Sequence, residues 1–190
     1  MGQIGFYFDQ TRCSGCYTCI LACKQWHSIE HEAKDWKRVE TLESGTYPDL
    51  KVSFLSLSCL HCKNPPCLSA CPVSAISKRK DNGVVQVDSV LCLGESHCGL
   101  CRGACPYGIP VFGADPEGKM EKCDLCVERL KEGRRPICVE ACPMKALDSG
   151  PLDELLKRYG DNREMGGFSF SGEANPSIIF KGKDGARRAQ

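Results

Sequence analysis

The sequence predicts an α+β fold in which short strands and helical turns alternate around cysteine loops. Three observations predict it. Sixteen cysteines fall into four sets of four: Cys13, Cys16, Cys19 and Cys23; Cys59, Cys62, Cys67 and Cys71; Cys92, Cys98, Cys101 and Cys105; Cys123, Cys126, Cys138 and Cys142. A pattern of strand, cysteine loop, helical turn and strand recurs along the chain. Aromatic residues are only 7% of the 190 residues, so bound metal must supply much of what an apolar core ordinarily provides.

The elements follow in order. Gly5 to Asp9 is short and aromatic and reads as a strand that delivers the chain to the first cysteine loop. Gly15 lets the backbone of that loop approach what it binds. Ile20-Leu21-Ala22 favours a short helix carrying Cys23 away, with Trp26 as an apolar plug over the centre and His27 and His31 solvated. Glu40 to Leu57 reads as a connection: turns at Ser44-Gly45-Thr46 and Tyr47-Pro48-Asp49, then one strand through Val52, Phe54 and Leu57. Asn64-Pro65-Pro66 should hold the next loop extended or turned. A helical turn is expected from Val73 to Ile76 behind Pro72, then a solvated turn at Lys78-Arg79-Lys80-Asp81 and a strand from Val84 to Asp88. Pro151 to Gly160 carries helix start and stop signals, with Leu152, Leu155, Leu156 and Tyr159 on one face turned to the body. Ile178-Ile179-Phe180 is an added strand or an arm, and Lys181 to Gln190 is a polar, disordered tail.

Spacing decides what the thiols do. A disulfide framework belongs to small secreted domains, and this chain opens with no signal-peptide pattern. Structural zinc takes two Cys pairs, which only the fourth set resembles. The first set is Cys-x2-Cys-x2-Cys-x3-Cys, the run by which bacterial ferredoxins hold a 4Fe-4S cluster, its fourth Cys serving the neighbouring cluster. Four such sets imply four 4Fe-4S clusters.

Lys and Arg number 25 against 24 Asp and Glu, so charge gives no argument for nucleic acid or an acidic membrane. No apolar run reaches the roughly 18 residues of a membrane span. No phosphate loop, dinucleotide fingerprint or nucleophile-and-base constellation is present. Lys24, Lys63, Arg102 and Lys122 adjoin cysteines and are either solvated or placed to favour a reduced cluster.

The order of the four sets, with Cys-Pro-Tyr-Gly at 105 to 108, Lys122-Cys123-Asp124-Leu125-Cys126, and Cys142-Pro143 before Met144-Lys145-Ala146-Leu147, resembles the iron-sulfur subunits of the dimethyl sulfoxide reductase family. The resemblance runs from Phe6 to about Lys181. It implies a non-catalytic electron-transfer subunit that serves a large molybdenum or tungsten catalytic subunit, with a further redox or membrane-anchor subunit as a second partner. Thiolate-bound cubanes are usually sensitive to oxygen, which points to anaerobic metabolism. The resemblance implies two nested ferredoxin-like units, residues 1-45 and 113-150 outside and 46-112 inserted, followed by a helix and tail at 151-190. It also implies cross-ligation. Cys13, Cys16, Cys19 and Cys142 would hold one cluster, and Cys23, Cys123, Cys126 and Cys138 a second. Cys59, Cys62, Cys67 and Cys105 would hold a third, and Cys71, Cys92, Cys98 and Cys101 a fourth. Five residues separate Cys92 from Cys98 where the family has two, which leaves Glu95 and His97 as substitutes for Cys92. A free polyferredoxin carrier and a zinc-stapled interaction module are the competing readings. A cytoplasmic location is expected, or export bound to a partner.

Overall fold

The computed structural model describes residues 2–30, 34–113 and 117–183. Strand β1 (Ile4–Asp9) organises it. It pairs antiparallel with β8 (Leu147–Pro151), Phe6 opposite Ser149, and parallel with β9 (Ile178–Lys181), Tyr7 opposite Ile179. With a neighbour on each edge and cover on both faces, all six residues of β1 are buried. Successive side chains of a strand point to opposite faces. Phe6 and Phe8 therefore enter the main core with Leu55, Leu125, Val139 and Phe180, while Tyr7 enters a smaller cluster with Leu155 and Ile179.

That smaller cluster explains the helix after β8. In α6 (Leu152–Tyr159), Leu152, Leu155, Leu156 and Tyr159 fall on one stripe and all pack here, as the sequence predicts. Tyr159 stacks on Tyr7 at 3.7 Å and donates a 2.7 Å hydrogen bond to Asp148. Ile178 to Lys181 is a strand and not an arm. The polar end begins less freely than expected: Lys181 lies in β9, and the Lys183 amide donates to Gln10 Oε1 at 3.0 Å. Residues 184 to 190 lie outside the described residues.

Around this sheet the remaining elements are short. They are α1 (Thr18–Trp26), the hairpin β2 (Arg38–Ser44) and β3 (Lys51–Leu57), α2 (Pro66–Ser69), the pair β4 (Ile76–Lys78) and β5 (Val85–Val87), and α3 (Leu100–Ala104). The pair β6 (Val111–Phe112) and β7 (Met120–Glu121), then α4 (Val127–Lys131) and α5 (Ile137–Glu140), complete the order.

Three expectations need correction. Residues 38 to 44 are not connection but a strand, paired over seven positions with β3. Its alternation is faint because its residues are only half-buried. No helical turn spans Val73 to Ile76: Ser74 has φ 53, which a right-handed helix excludes, and Ile76 pairs with Val87. The proline-started helix lies one loop earlier, at Pro66, where an extended or turned loop was expected.

Candidate metal centres

Cysteine set by cysteine set, the fold gathers thiols that are distant in sequence. Cys13, Cys16 and Cys19 come from the loop after β1 and the first turn of α1. Cys142 follows α5 and is brought to them because β8 runs beside β1, where the Asp9 amide donates to Ala146 O at 2.8 Å. The four line one hollow with Phe8 and Val39. Burial pushes the Cys13 thiol up, and the neighbouring Cys19, Cys142 and Cys16 push it further. Cys16, exposed at the rim, is instead lowered by the hydroxyl and amide of Thr18.

A second group forms where α1 packs on α5. It joins Cys23 of α1, Cys138 of α5, and Cys123 and Cys126 from the loop before α4. Leu125 and Cys126 both have positive φ, a tight coil that lets the Leu125 amide donate to Cys123 Sγ at 3.3 Å. Burial pushes Cys23 up to about 12, helped by Cys138 and Cys126, and Cys126 to about 12, helped by Cys138. Burial also carries Cys123 well above its ordinary value, with Cys23 and Cys138 adding to it.

Cys59, Cys62, Cys67 and Cys105 line a third hollow with Pro65 and Lys122. Burial and then mutual repulsion push Cys62 up to about 12, and Cys67 likewise. In the fourth group, Cys71 and Cys92 pack against the buried cluster that contains Cys67 and Cys101, and burial, then Cys92 and Cys98, raise the Cys101 thiol. The long loop here reaches Cys101 because it is pinned: the Glu95 amide donates to Gly118 O at 2.9 Å. Gly94, at φ 83, passes where a Cβ would collide with the Glu117 carbonyl. Glu95 is paired with Arg102 and half-exposed, and exposed His97 shares a 2.8 Å hydrogen bond with Ser96.

Successive groups adjoin one another. Cys138 of the second feels Cys19 of the first. Cys123 of the second feels Cys59 of the third, and Cys67 of the third feels Cys101 of the fourth. All sixteen cysteines are free thiols, and crowded buried thiols oppose one another's ionisation. Iron resolves this opposition, since a coordinated thiol is deprotonated outright and its charge is neutralised by the metal. The donor set therefore fits 4Fe-4S clusters, which take four thiolates each.

Several side chains differ from the sequence expectation. His27 is not solvated: its ring lies 4.8 Å from that of Trp36, and Nε2 is 3.4 Å from Cys126 Sγ. Ligand atoms of His27, Asp124 and Cys126 lie within 4.8 Å of one another, a grouping that shares Cys126 with the second set. His31 lies outside the described residues. Trp26 is 41% exposed and forms a platform for Arg129, 4.5 Å above its ring, rather than a plug. Lys122 is buried, with Nζ donating to the carbonyls of Val85 and Cys123. Lys24 pairs with Asp35 at 2.8 Å, and Lys63 is exposed. Lys78 is no solvated turn residue, since its Nζ donates to Cys62 O and Lys63 O.

Gly15 has φ 69, and what approaches it is the Phe54 ring, 2.5 Å from where a Cβ would lie. Lys37, buried among the first two groups, escaped the sequence reading because no cysteine adjoins it.

Residues 50–152 match the family described as "4Fe-4S dicluster domain". The protein is 40% identical over 187 residues to an anaerobic dimethyl sulfoxide reductase chain of Escherichia coli, an alignment covering 94% of this chain and 88% of that protein. It is 38% identical over 196 residues to the corresponding chain of Haemophilus influenzae, covering 98% and 93%. It is 37% identical over 194 residues to a sulfite dehydrogenase subunit of Allochromatium vinosum, covering 91% and 79%. With the cysteine groups described above, these likenesses show that the protein belongs to the family of iron-sulfur electron-transfer subunits of the dimethyl sulfoxide reductase type.

Proposed function

We propose that the chain is a non-catalytic conduit that relays electrons through four 4Fe-4S clusters, between a large molybdenum or tungsten catalytic subunit and another redox partner. The observation that most supports this reading is that sixteen free cysteines, distant in sequence, gather into adjoining groups, two of which line a hollow with four thiols each. On this reading, Cys13, Cys16, Cys19 and Cys142 hold the first cluster, and Cys23, Cys123, Cys126 and Cys138 the second. Cys59, Cys62, Cys67 and Cys105 hold the third, and Cys71, Cys92, Cys98 and Cys101 the fourth. When bound, each such cluster supplies one-electron storage at a potential set by its surroundings. The chain's own part is to fix the spacing, exclude water and place charge.

The outer unit spans 1-45 and 113-150, with 46-112 inserted, and the nested reading is supported by the pairing of β1 with β8 and of α1 with α5. Within the C-terminal part, 151-190, α6 and β9 fasten the outer unit. Cys92 is favoured over Glu95 and His97 at the fourth cluster because it packs against the buried residues that include Cys101 and acts on the Cys101 thiol, while Glu95 pairs with Arg102 and His97 with Ser96.

All four sets have four thiol donors, which argues against an open iron corner for substrate and so for transfer over catalysis. The relatives' names are those of chains and subunits, which favours a bound subunit over a free carrier. No helix among the described residues is long and apolar enough to cross a membrane. Anaerobic purification of the tagged chain from its native host tests the assignment. A large molybdenum- or tungsten-containing polypeptide should copurify in equal amount, and its substrate should reoxidise the reduced iron-sulfur signals. A chain that purifies alone, with signals no such enzyme can reoxidise, is a free carrier.

A further inference from the structure

Lys37 is only 3% exposed, which is unusual for a lysine, since a charged head is rarely left so dry without a partner. Its Nζ stands 5.7 Å from the centroid of the ring of Phe6, which belongs to the same buried cluster as Cys19, Cys123 and Cys138. The groups that act on its charge are sulfurs: Cys138, Cys19, Cys123 and Cys23. Those four come from α1, α5 and the loop before α4, and they divide between two groups, Cys19 in the first and the other three in the second. Among the described residues no carboxylate pairs with Nζ.

A buried ammonium with no carboxylate partner has no evident purpose in a core held by apolar contacts. Replacing it with a methionine of similar volume would remove the desolvation cost at once. Its place makes sense if the sulfurs carry negative charge that grows on reduction. A fixed positive charge in a medium of effective dielectric about 20 then favours the electron-rich state of whatever lies on either side.

We propose that Lys37 is the positioning charge of the first relay step: its ammonium, shared by the first and second clusters, raises the potentials of both. The proposal rests on the cluster assignment above and deepens it. Lys37 touches no substrate, and its role is exerted through the thiolates.

The test is an anaerobic redox titration of the full chain in its native complex, followed by electron paramagnetic resonance, after iron analysis of each sample. Centres are assigned beforehand by their sensitivity to Cys142→Ser, for the first, and Cys126→Ser, for the second. In Lys37→Met and Lys37→Gln, the reduced-to-oxidised ratio of these two centres at a fixed potential should fall at least tenfold, about 59 mV for a one-electron couple. Lys37→Arg, which keeps the charge, should stay within threefold of the wild type, and the other two centres should not move. Unchanged ratios in both neutral variants with iron intact would overturn the proposal. Loss of iron from both neutral variants, retained in Lys37→Arg, would also overturn it, because Lys37 would then be holding the fold together. If the wild type itself lacks about sixteen irons, four per cluster by the ligand count, the cluster reading beneath the proposal fails first, and visibly, before any titration.

Discussion

Replacing Gly15 by alanine should loosen the first cysteine loop, and the structure sets the size of the effect. Gly15 sits between Cys13 and Cys16 at φ 69, where an L side chain costs about 1–2 kcal/mol. The added Cβ would lie 2.5–2.7 Å from three atoms of the Phe54 ring, and such overpacking costs typically about 1–3 kcal/mol. Together the two contributions come to about 2–5 kcal/mol. Because each 1.4 kcal/mol is a factor of ten, the opened loop should be at least about thirty times more populated. Chelator-driven iron release, measured anaerobically under conditions where reclosing is faster than capture, reads that population.

Phe54→Ala in the same chain should restore the collision part, about 1–3 kcal/mol, and leave the backbone part, so the two substitutions should be strongly non-additive. Release from Gly15→Ala within about threefold of wild type, or strict additivity with Phe54→Ala, would refute the reasoning.

Further expectations follow from other parts of the site. Cys142→Ser should perturb the centre held by Cys13, Cys16 and Cys19 and leave the Cys123 centre unchanged; spectra showing the reverse would exclude cross-ligation. Cys92→Ser should convert or destroy one cluster while His97→Ala leaves the iron count intact, and iron analysis of both variants decides between the two ligands. His27→Ala removes the group 3.4 Å from Cys126 Sγ and should lower the potential of that centre alone, which a redox titration resolves. Burial lifts Tyr7 from its ordinary 10.0 to about 12, with Asp9 adding to it. A raised folded-state pKa gives stability that is whole below pH 10.0 and is lost as pH rises towards about 12. The unfolding temperature should fall across that window, and Tyr7→Phe should flatten the fall.

Much of the metal chemistry was legible because ligand type and spacing are local properties of a sequence. Cys13 to Cys23 announce their use within eleven residues, and Pro151 and Gly160 mark the ends of a helix whose apolar stripe follows directly. What escaped is what depends on the partner across the fold. Arg38 to Ser44 shows only weak alternation, because β3 and not its own pattern makes it a strand. Val73 to Ile76 looked helical behind a proline, but one left-handed residue, Ser74, ends that possibility. Lys37 adjoins no cysteine in sequence and drew no reading, His27 read as solvated, and Lys122 as either solvated or placed to favour a reduced cluster. What surrounds them comes from β1, the loop before α4 and β5, parts of the chain that reach them only in three dimensions. Lys78 failed for the same reason, since the carbonyls it serves lie fifteen and sixteen residues away.

The claim that four thiol groups hold four cubanes meets its most direct test in the metal content of the chain purified without oxygen. The account predicts about sixteen irons and as much acid-labile sulfide per chain, four for each set of four cysteines, and no stoichiometric zinc. A colourless protein carrying zinc, or one with about eight irons, would contradict it.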